Sequence, residues 1–98
     1  MVETYVCETT WYNVVPDSET RSEHLAYIRK KGAEGKVAAS GRFRDLKGAL
    51  IIWRVSSLEE AQKLAAEDPY FKRGLVKFEL REWDVAFNFL TNPPQTPE

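Results

Sequence analysis

Ala65-Ala66-Glu67-Asp68-Pro69-Tyr70-Phe71-Lys72-Arg73-Gly74 decides how this chain folds. An alanine- and leucine-rich helix runs into Asp68, Pro69 cannot continue it, and Gly74 then releases the chain into an alternating strand. The helix that ends here opens at Ser57-Leu58-Glu59-Glu60. That spacing is a capping box, in which a hydroxyl accepts an amide and a carboxylate reaches back. Leu58, Ala61, Leu64, Ala65 and Asp68 recur on one helical stripe, so Asp68 ends an inward face.

Beyond Gly74, Val76, Phe78 and Leu80 alternate with Lys77, Glu79 and Arg81, whereas Trp83, Val85, Phe87 and Phe89 continue one position out of phase. The slip predicts a bulge near Arg81-Glu82 or a strand that changes sheets. Before the corner, Ala49 to Val55 is a near-continuous apolar run, the pattern of a central strand covered on both faces. Lys36 to Phe43 forms another strand with a middle, Ala38-Ala39-Ser40-Gly41, almost free of side chains. Such a strand is either packed closely by another backbone or forms the floor of a pocket. Thr4 to Tyr12, dense in threonine, tyrosine and valine, is the first strand. Between these two strands a helix is predicted from about Asp17 to Lys31, with capping-box spacing at Thr20-Arg21-Ser22-Glu23 and Gly32 and Gly35 closing it. Its inward face carries His24, Leu25, Ile28 and Lys31, with Tyr27 beside them.

The order strand, helix, strand, strand, helix, strand is the split arrangement of ferredoxin-like α+β folds. Its helices cover one face of an antiparallel sheet. Yet Leu50 and Ile52 point one way and Ile51, Trp53 and Val55 the other, so a second layer must cover the remaining face. A copy of the same sheet is the simplest cover, which predicts a homodimer forming a dimeric α+β barrel.

Composition narrows the partners. The 98 residues make one domain, residues 1–90, followed by a proline-rich tail, 91–98, expected to be disordered or laid along a neighbour. A formal net charge of -1 leaves no basic field for nucleic acid. The longest apolar run, Ala49 to Trp53, is far short of the roughly 20 residues that span a bilayer, so no membrane partner is expected. Glu3 stands where a signal peptide would carry positive charge, and a single cysteine, Cys7, fits a reducing compartment. A soluble, cytoplasmic protein is the expectation. One histidine with scattered carboxylates lacks the spacing of a zinc or iron site, and no glycine-rich phosphate loop is present, so no metal and no cofactor are expected.

The chemistry that remains is proton transfer. An imidazole suits it near neutral pH, and a carboxylate on one ring nitrogen fixes the tautomer. His24 and Asp68 both fall on inward faces and are the candidate catalytic residues. The plainer alternative is that His24 is a hydrogen-bonded core residue and Asp68 caps the turn into Pro69. Ser40 and Gly41 on the small strand, Arg42 after it and Tyr70 after Asp-Pro are candidate ligand-binding positions. Arg42 and Arg44 would attract an anionic ligand to the pocket mouth; packing would equally explain Ser40 and Tyr70, and solvated turn charge is the plainer account of the two arginines. Trp11, Trp53 and Trp83 read as barrel or interface aromatics.

A resemblance is carried by His24-Leu25, Ala39-Ser40-Gly41, Gly48-Ala49, Leu58-Glu59-Glu60-Ala61, Asp68-Pro69-Tyr70 with Gly74, and Trp83. Taken in order, this set resembles the YCII-related (YciI-like) family over residues from about 3 to 88. The resemblance implies a dimeric α+β barrel with a pocket between sheet and helices, holding a histidine and an aspartate proposed as acid and base. Carried over, these are His24 and Asp68. A dehydrochlorinase of chlorinated hydroxyquinone breakdown is an enzymatic relative. One departure is that Arg42 follows Gly41 where many members have proline, and the loop beyond is short.

The expected function is therefore a cofactor-independent enzyme of lyase or isomerase type, using the His24–Asp68 pair on a small, aromatic or quinonoid molecule. The alternatives are a non-catalytic small-molecule-binding dimer, a structural module with no pocket beside His24, and, by analogy of fold alone, a cofactor-free monooxygenase-like protein.

Overall fold

The computed structural model describes residues 3–90; the predicted tail 91–98 lies outside them. The chain runs β1 (Thr4–Tyr12), α1 (Ser18–Ala33), β2 (Val37–Arg42), β3 (Gly48–Val55), α2 (Leu58–Ala66), α3 (Pro69–Lys72) and β4 (Val76–Trp83). The four strands lie in the order β2-β3-β1-β4, every neighbouring pair antiparallel. This is the ferredoxin-like α+β arrangement, with α3 added at the Asp68-Pro69 corner.

Period-two alternation sorts the sheet into two faces. Val6, Ile51, Trp53 and Val55 are buried on the helix side, where Ala61 and Leu64 of α2 and half-buried Tyr27 and Ile28 of α1 pack on them. Gly48 is the point of closest approach, because a Cβ there would run into the Thr10 carbonyl of β1. Tyr5, Cys7, Thr9 and Trp11 of β1, with Leu50 and Ile52 of β3, take the opposite face. That face is less uniformly apolar than expected. Lys77, Glu79 and Arg81 of edge strand β4 project on it, since they pair with Trp11, Thr9 and Cys7.

Several local readings are corrected. The cap of α1 is Asp17, whose Oδ1 accepts from the Thr20 amide at 2.8 Å, and not the Thr20–Glu23 box. Thr20 is instead buried inside the helix, where its hydroxyl accepts from Arg73 at 2.8 Å. Gly32 lies within α1. The stop is Gly35 at φ 81, with Gly35 N–H bonded to Gly32 O and Lys36 N–H to Lys31 O, the paired bonds of a Schellman ending. Ser57 caps α2 as read, but the Glu60 carboxylate reaches back to the Ser56 amide and hydroxyl. No bulge occurs near Arg81-Glu82: β4 pairs with β1 in unbroken register to Trp83 and ends there. The out-of-phase residues beyond Trp83 are therefore not strand. Val85, Asn88 and Leu90 instead line a small cavity with Tyr5 and Ile52, so this segment lies over part of the open sheet face. A register irregularity does exist, in β2 between Val37 and Ala39.

Candidate functional site

Three local devices bring His24 and Asp68 together. Asp68 is the cap of α3: its Oδ1 accepts from the Tyr70 amide at 3.0 Å, and Pro69 supplies a first residue that needs no such acceptor. Gly74 at φ 70 then stops α3, with its amide on Phe71 O and that of Leu75 on Tyr70 O. Thus the corner's geometry is set locally before any contact with α1. On α1, only Thr20 and His24 are buried. The helix is fastened mainly by polar contacts: the Tyr27 hydroxyl donates to Leu64 O at 2.7 Å, and Arg73 donates to Thr20 and pairs with Glu23 at 2.7 Å. These ties run from α1 to α2 and to the end of α3, on either side of Asp68.

The result is a buried pair. His24 Nδ1 lies 2.9 Å from each carboxylate oxygen of Asp68, and the two residues are 6% and 3% exposed. A carboxylate accepts and cannot donate while ionised, so Nδ1 carries the proton and Nε2 the lone pair. Nε2 has no hydrogen-bond partner among the described residues, and no buried side-chain nitrogen or oxygen there lacks one, so Nε2 is reachable from outside. Tyr70 touches both members, its amide on Asp68 and its ring stacked on the imidazole with centroids 4.0 Å apart.

A cavity of about 140 Å³ opens beside this pair. His24, Ser40, Gly41, Arg42 and Tyr70 all line it, while Asp68 stands behind the imidazole and does not. Between the two readings of β2, the pocket floor is the one observed, since a Cβ on Gly41 would meet nothing within 4 Å. The expectation of a module without a pocket at His24 is not met. Five residues of the site were not singled out from sequence as lining: Tyr12, Arg21, Leu25, Ile28 and Ala49. Leu25 and Ile28 were legible as inward, whereas Tyr12 ends β1 and Arg21 lies in the first turn of α1, where only the packing sets direction. Arg44, paired with Arg42 in the sequence reading, is not among the lining residues.

Burial sets the charge states around the pair. The Tyr70 phenol is pushed up to about 12, chiefly by burial, so it remains a donor at neutral pH. Burial likewise raises Tyr12, against the pull of Arg42 and Arg21. Beneath the site, Glu8 is 2% exposed and holds the Trp53 indole N–H at 2.8 Å and the Thr10 hydroxyl at 2.9 Å. Its carboxyl is raised by burial, and those two bonds oppose the rise. Cys7 faces the other side of the sheet and is also raised by burial, which keeps it a thiol. Among the described residues no cluster of three or more His, Cys, Asp or Glu side chains is placed to hold a metal ion. No helix among them is long and apolar enough to cross a membrane.

The 5-chloro-2-hydroxyhydroquinone dehydrochlorinase from Burkholderia phenoliruptrix AC1100, solved with 2,5-dihydroxybenzoquinone, superposes with a TM-score of 0.64 at 21% identity, over 81% of this chain and 93% of that one. SnoaB, a cofactor-independent oxygenase from Streptomyces nogalater, superposes with a TM-score of 0.55 at 14% identity, over 91% of this chain and 98% of that one. At such identities the likeness is one of fold. No curated protein sequence matches the chain. The sequence pattern of the YCII-related domain matches residues 2–84, nearly the whole folded part, and the chain belongs to that family.

Proposed function

We propose that this protein is a cofactor-independent enzyme of lyase or isomerase type in which His24, oriented by Asp68, moves a proton on a small aromatic or quinonoid molecule. The observation that carries the reading is the imidazole held at 2.9 Å by both Asp68 oxygens, with its other nitrogen turned to a cavity. Nε2 takes a proton from an acidic O–H or C–H of the ligand, and Asp68 stabilises the imidazolium that forms. The electron pair left behind moves through the conjugated ligand. In an elimination it expels an anionic leaving group, and the net change is loss of that group plus one proton. In an isomerisation the proton returns to a different atom. Neither route transfers electrons to an outside acceptor. Tyr70 of α3 and Ser40 of β2 would hold the ligand's oxygen atoms, with Gly41 leaving room and Arg42 at the cavity wall.

The size of the cavity suits this class, since an apolar cavity of about 150 Å³ accommodates a benzene ring. The fold shared with a dehydrochlorinase adds support. An oxygenase reading, favoured by the likeness to SnoaB, would begin with the same deprotonation and differ in what the carbanion then meets. We propose further that two copies pair through the open sheet face, where Leu50, Ile52 and Trp83 are the apolar contacts.

The test is a panel of hydroxyquinones and chlorinated hydroxyhydroquinones, followed for chloride release, for exchange of ring hydrogen with deuterated water and for oxygen uptake. His24→Gln is expected to lower the rate by about 10²–10⁴-fold, the usual worth of a general base, while ligand binding persists. Unchanged turnover in a folded His24→Gln variant would remove His24 from the mechanism, and binding without any turnover across the panel would leave a binding protein.

A further inference from the structure

Two phenol hydroxyls open on the cavity beside His24 with no hydrogen-bond partner among the described residues. They belong to Tyr12, the last residue of β1, and to Tyr70 of α3. No buried side-chain oxygen there lacks a partner, so both hydroxyls are reachable from the cavity that their residues line. Tyr27 differs, because its hydroxyl donates to Leu64 O and ties α1 to α2. Backbone bonds fix both cavity tyrosines. The Leu75 amide donates to Tyr70 O at 3.0 Å, the Leu75 carbonyl accepts from the Asn13 amide at 2.7 Å, and the Tyr12 amide donates to Lys47 O at 3.0 Å. The two rings meet edge to face, with centroids 6.0 Å apart and planes at 87°. On its other side Tyr70 stacks on His24. His24, Tyr70 and Tyr12 thus form one row along the cavity, drawn from α1, α3 and β1.

Both hydroxyls are donors at neutral pH. Burial raises the two phenols, and Tyr12 adds to the rise in Tyr70, so each oxygen feels the other. With Nε2 they make a set of definite sense: one lone pair that takes a proton and two O–H groups that give hydrogen bonds. Such a set suits a ligand on which negative charge appears at oxygen while a proton leaves carbon. A carbonyl oxygen accepts two hydrogen bonds, and these strengthen as it becomes an enolate oxygen, so the gain falls in the transition state. No carboxylate lines the cavity to repel that charge. Leu25, Ile28 and Ala49 supply apolar wall, and the volume of about 140 Å³ admits a single ring.

We propose that Tyr12 and Tyr70 are paired donors to one carbonyl oxygen, and that the substrate is a single-ring or similarly small enolisable carbonyl compound. His24 Nε2 takes a hydrogen from the carbon beside that carbonyl, or from its vinylogous position. The C–H electron pair becomes the carbon–carbon π bond of the enolate, the carbonyl π pair moves onto oxygen, and the proton stays on the imidazolium. Return of the proton to another carbon completes an isomerisation; departure of an anionic group from the neighbouring carbon completes an elimination. This rests on the proton-transfer reading of His24 and narrows it to a C–H bond activated by a carbonyl. It also makes Tyr12 a catalytic residue.

The experiment uses 4-nitrophenol as a stable one-ring mimic of the enolate, because absorbance reads its ionisation directly. Wild type is expected to hold the phenolate about tenfold or more tightly than the phenol. Tyr12→Phe and Tyr70→Phe each remove one oxygen that bonds to no described residue. Each is expected to take away most of that preference while leaving the urea midpoint unchanged, and His24→Gln is expected to keep it. No preference, a preference that survives both Phe variants, or no binding at millimolar concentration would overturn the proposal. The reaction itself is followed by proton NMR as exchange of the ring hydrogens of cyclohex-2-enone with deuterated water. Tyr12→Phe is expected to lower the saturated rate by about 10²-fold, the usual worth of one oxyanion donor, with KM little changed. The two readings fail separately. A preference that needs both tyrosines, with no His24-dependent exchange, sinks proton transfer and the substrate class and leaves the paired donors; His24-dependent exchange that neither Phe variant slows does the reverse.

Discussion

The imidazole of His24 lies 5° from parallel with the ring of Tyr70, at a centroid separation of 4.0 Å, while the Tyr70 amide binds the carboxylate that holds the same imidazole. One residue therefore braces both members of the pair, by ring and by backbone. Only the ring's contribution can be removed by substitution. Tyr70→Phe keeps the stack and is expected to change stability by less than about 0.5 kcal/mol, since the phenol has no hydrogen-bond partner among the described residues. Tyr70→Leu loses the stacked face and is expected to cost about 2–3 kcal/mol. Urea unfolding compares the two. Equal losses would mean that the stack is incidental.

A single histidine makes the tautomer directly observable. With Nδ1 facing both Asp68 oxygens, the neutral ring is expected to show a protonated Nδ1 and a pyridine-like Nε2 in nitrogen-15 spectra. Asp68→Asn should mix the tautomers, because an amide can donate to Nδ1 as well as accept. A wild-type ring protonated on Nε2 would exclude that atom as the base.

Glu8 offers a pH test of the ground beneath the site. Its carboxyl is raised by burial, so the folded protein favours the neutral acid. The stability this contributes is fully present below the ordinary glutamate range, about 4.3, and is lost as pH rises through the elevated value. Glu8→Gln does not titrate. Wild type is therefore expected to lose stability relative to Glu8→Gln between pH 4 and pH 8, read from urea unfolding at both ends. Parallel pH profiles would show that the buried carboxylate carries no such cost.

Most of the fold was legible because its signals are local. The boundaries of β1 and β3, the cap at Ser57 and the Asp68-Pro69 corner with Gly74 are written in residue types whose backbone demands hardly depend on context. Where context decides, reading failed. Thr20 looked like a cap because of Glu23 three residues on, but Asp17 is one turn earlier and Arg73, far away in sequence, takes the Thr20 hydroxyl. The apolar residues after Trp83 looked like more strand, although Trp83 already pairs with Tyr5 and β1 has only Thr4 left beyond that pair. For the site, inward stripes located His24 and Asp68 separately, and their contact depends on how α1 is tied to α2 and α3. Tyr27 and Arg73 make those ties through a backbone carbonyl and a helical threonine, neither of which has a sequence signature.

The open face of the sheet leads to a test of assembly. Trp11 and Trp83 are 42% and 39% exposed there, and Ile52 is covered in part by the segment ending at Leu90. Sedimentation is expected to give twice the chain mass. Leu50→Lys and Trp83→Glu, on separate strands of that face, should each shift the population toward monomer while preserving helical circular dichroism. A monomer in the wild type at tens of micromolar would reject the pairing.

Two glycines separate fold from site. At Gly48 an added Cβ meets the Thr10 carbonyl, which is held in the β1–β3 ladder and cannot yield without disturbing it. Gly48→Ala is therefore expected to destabilise by about 2–3 kcal/mol, in line with overpacking of a closed interior. At Gly41 nothing lies within 4 Å of the added atom, and its backbone needs no positive φ. Gly41→Ala should then leave the unfolding midpoint nearly unchanged, but the methyl lies on a residue lining the cavity of about 140 Å³, where a ligand has little spare room. Weaker binding with unaltered stability is the expected pair of readings, by NMR titration and urea unfolding on the same sample. If Gly41→Ala binds 2,5-dihydroxybenzoquinone as the wild type does, the ligand does not rest on β2, and the roles given to Ser40 and Arg42 fall with it.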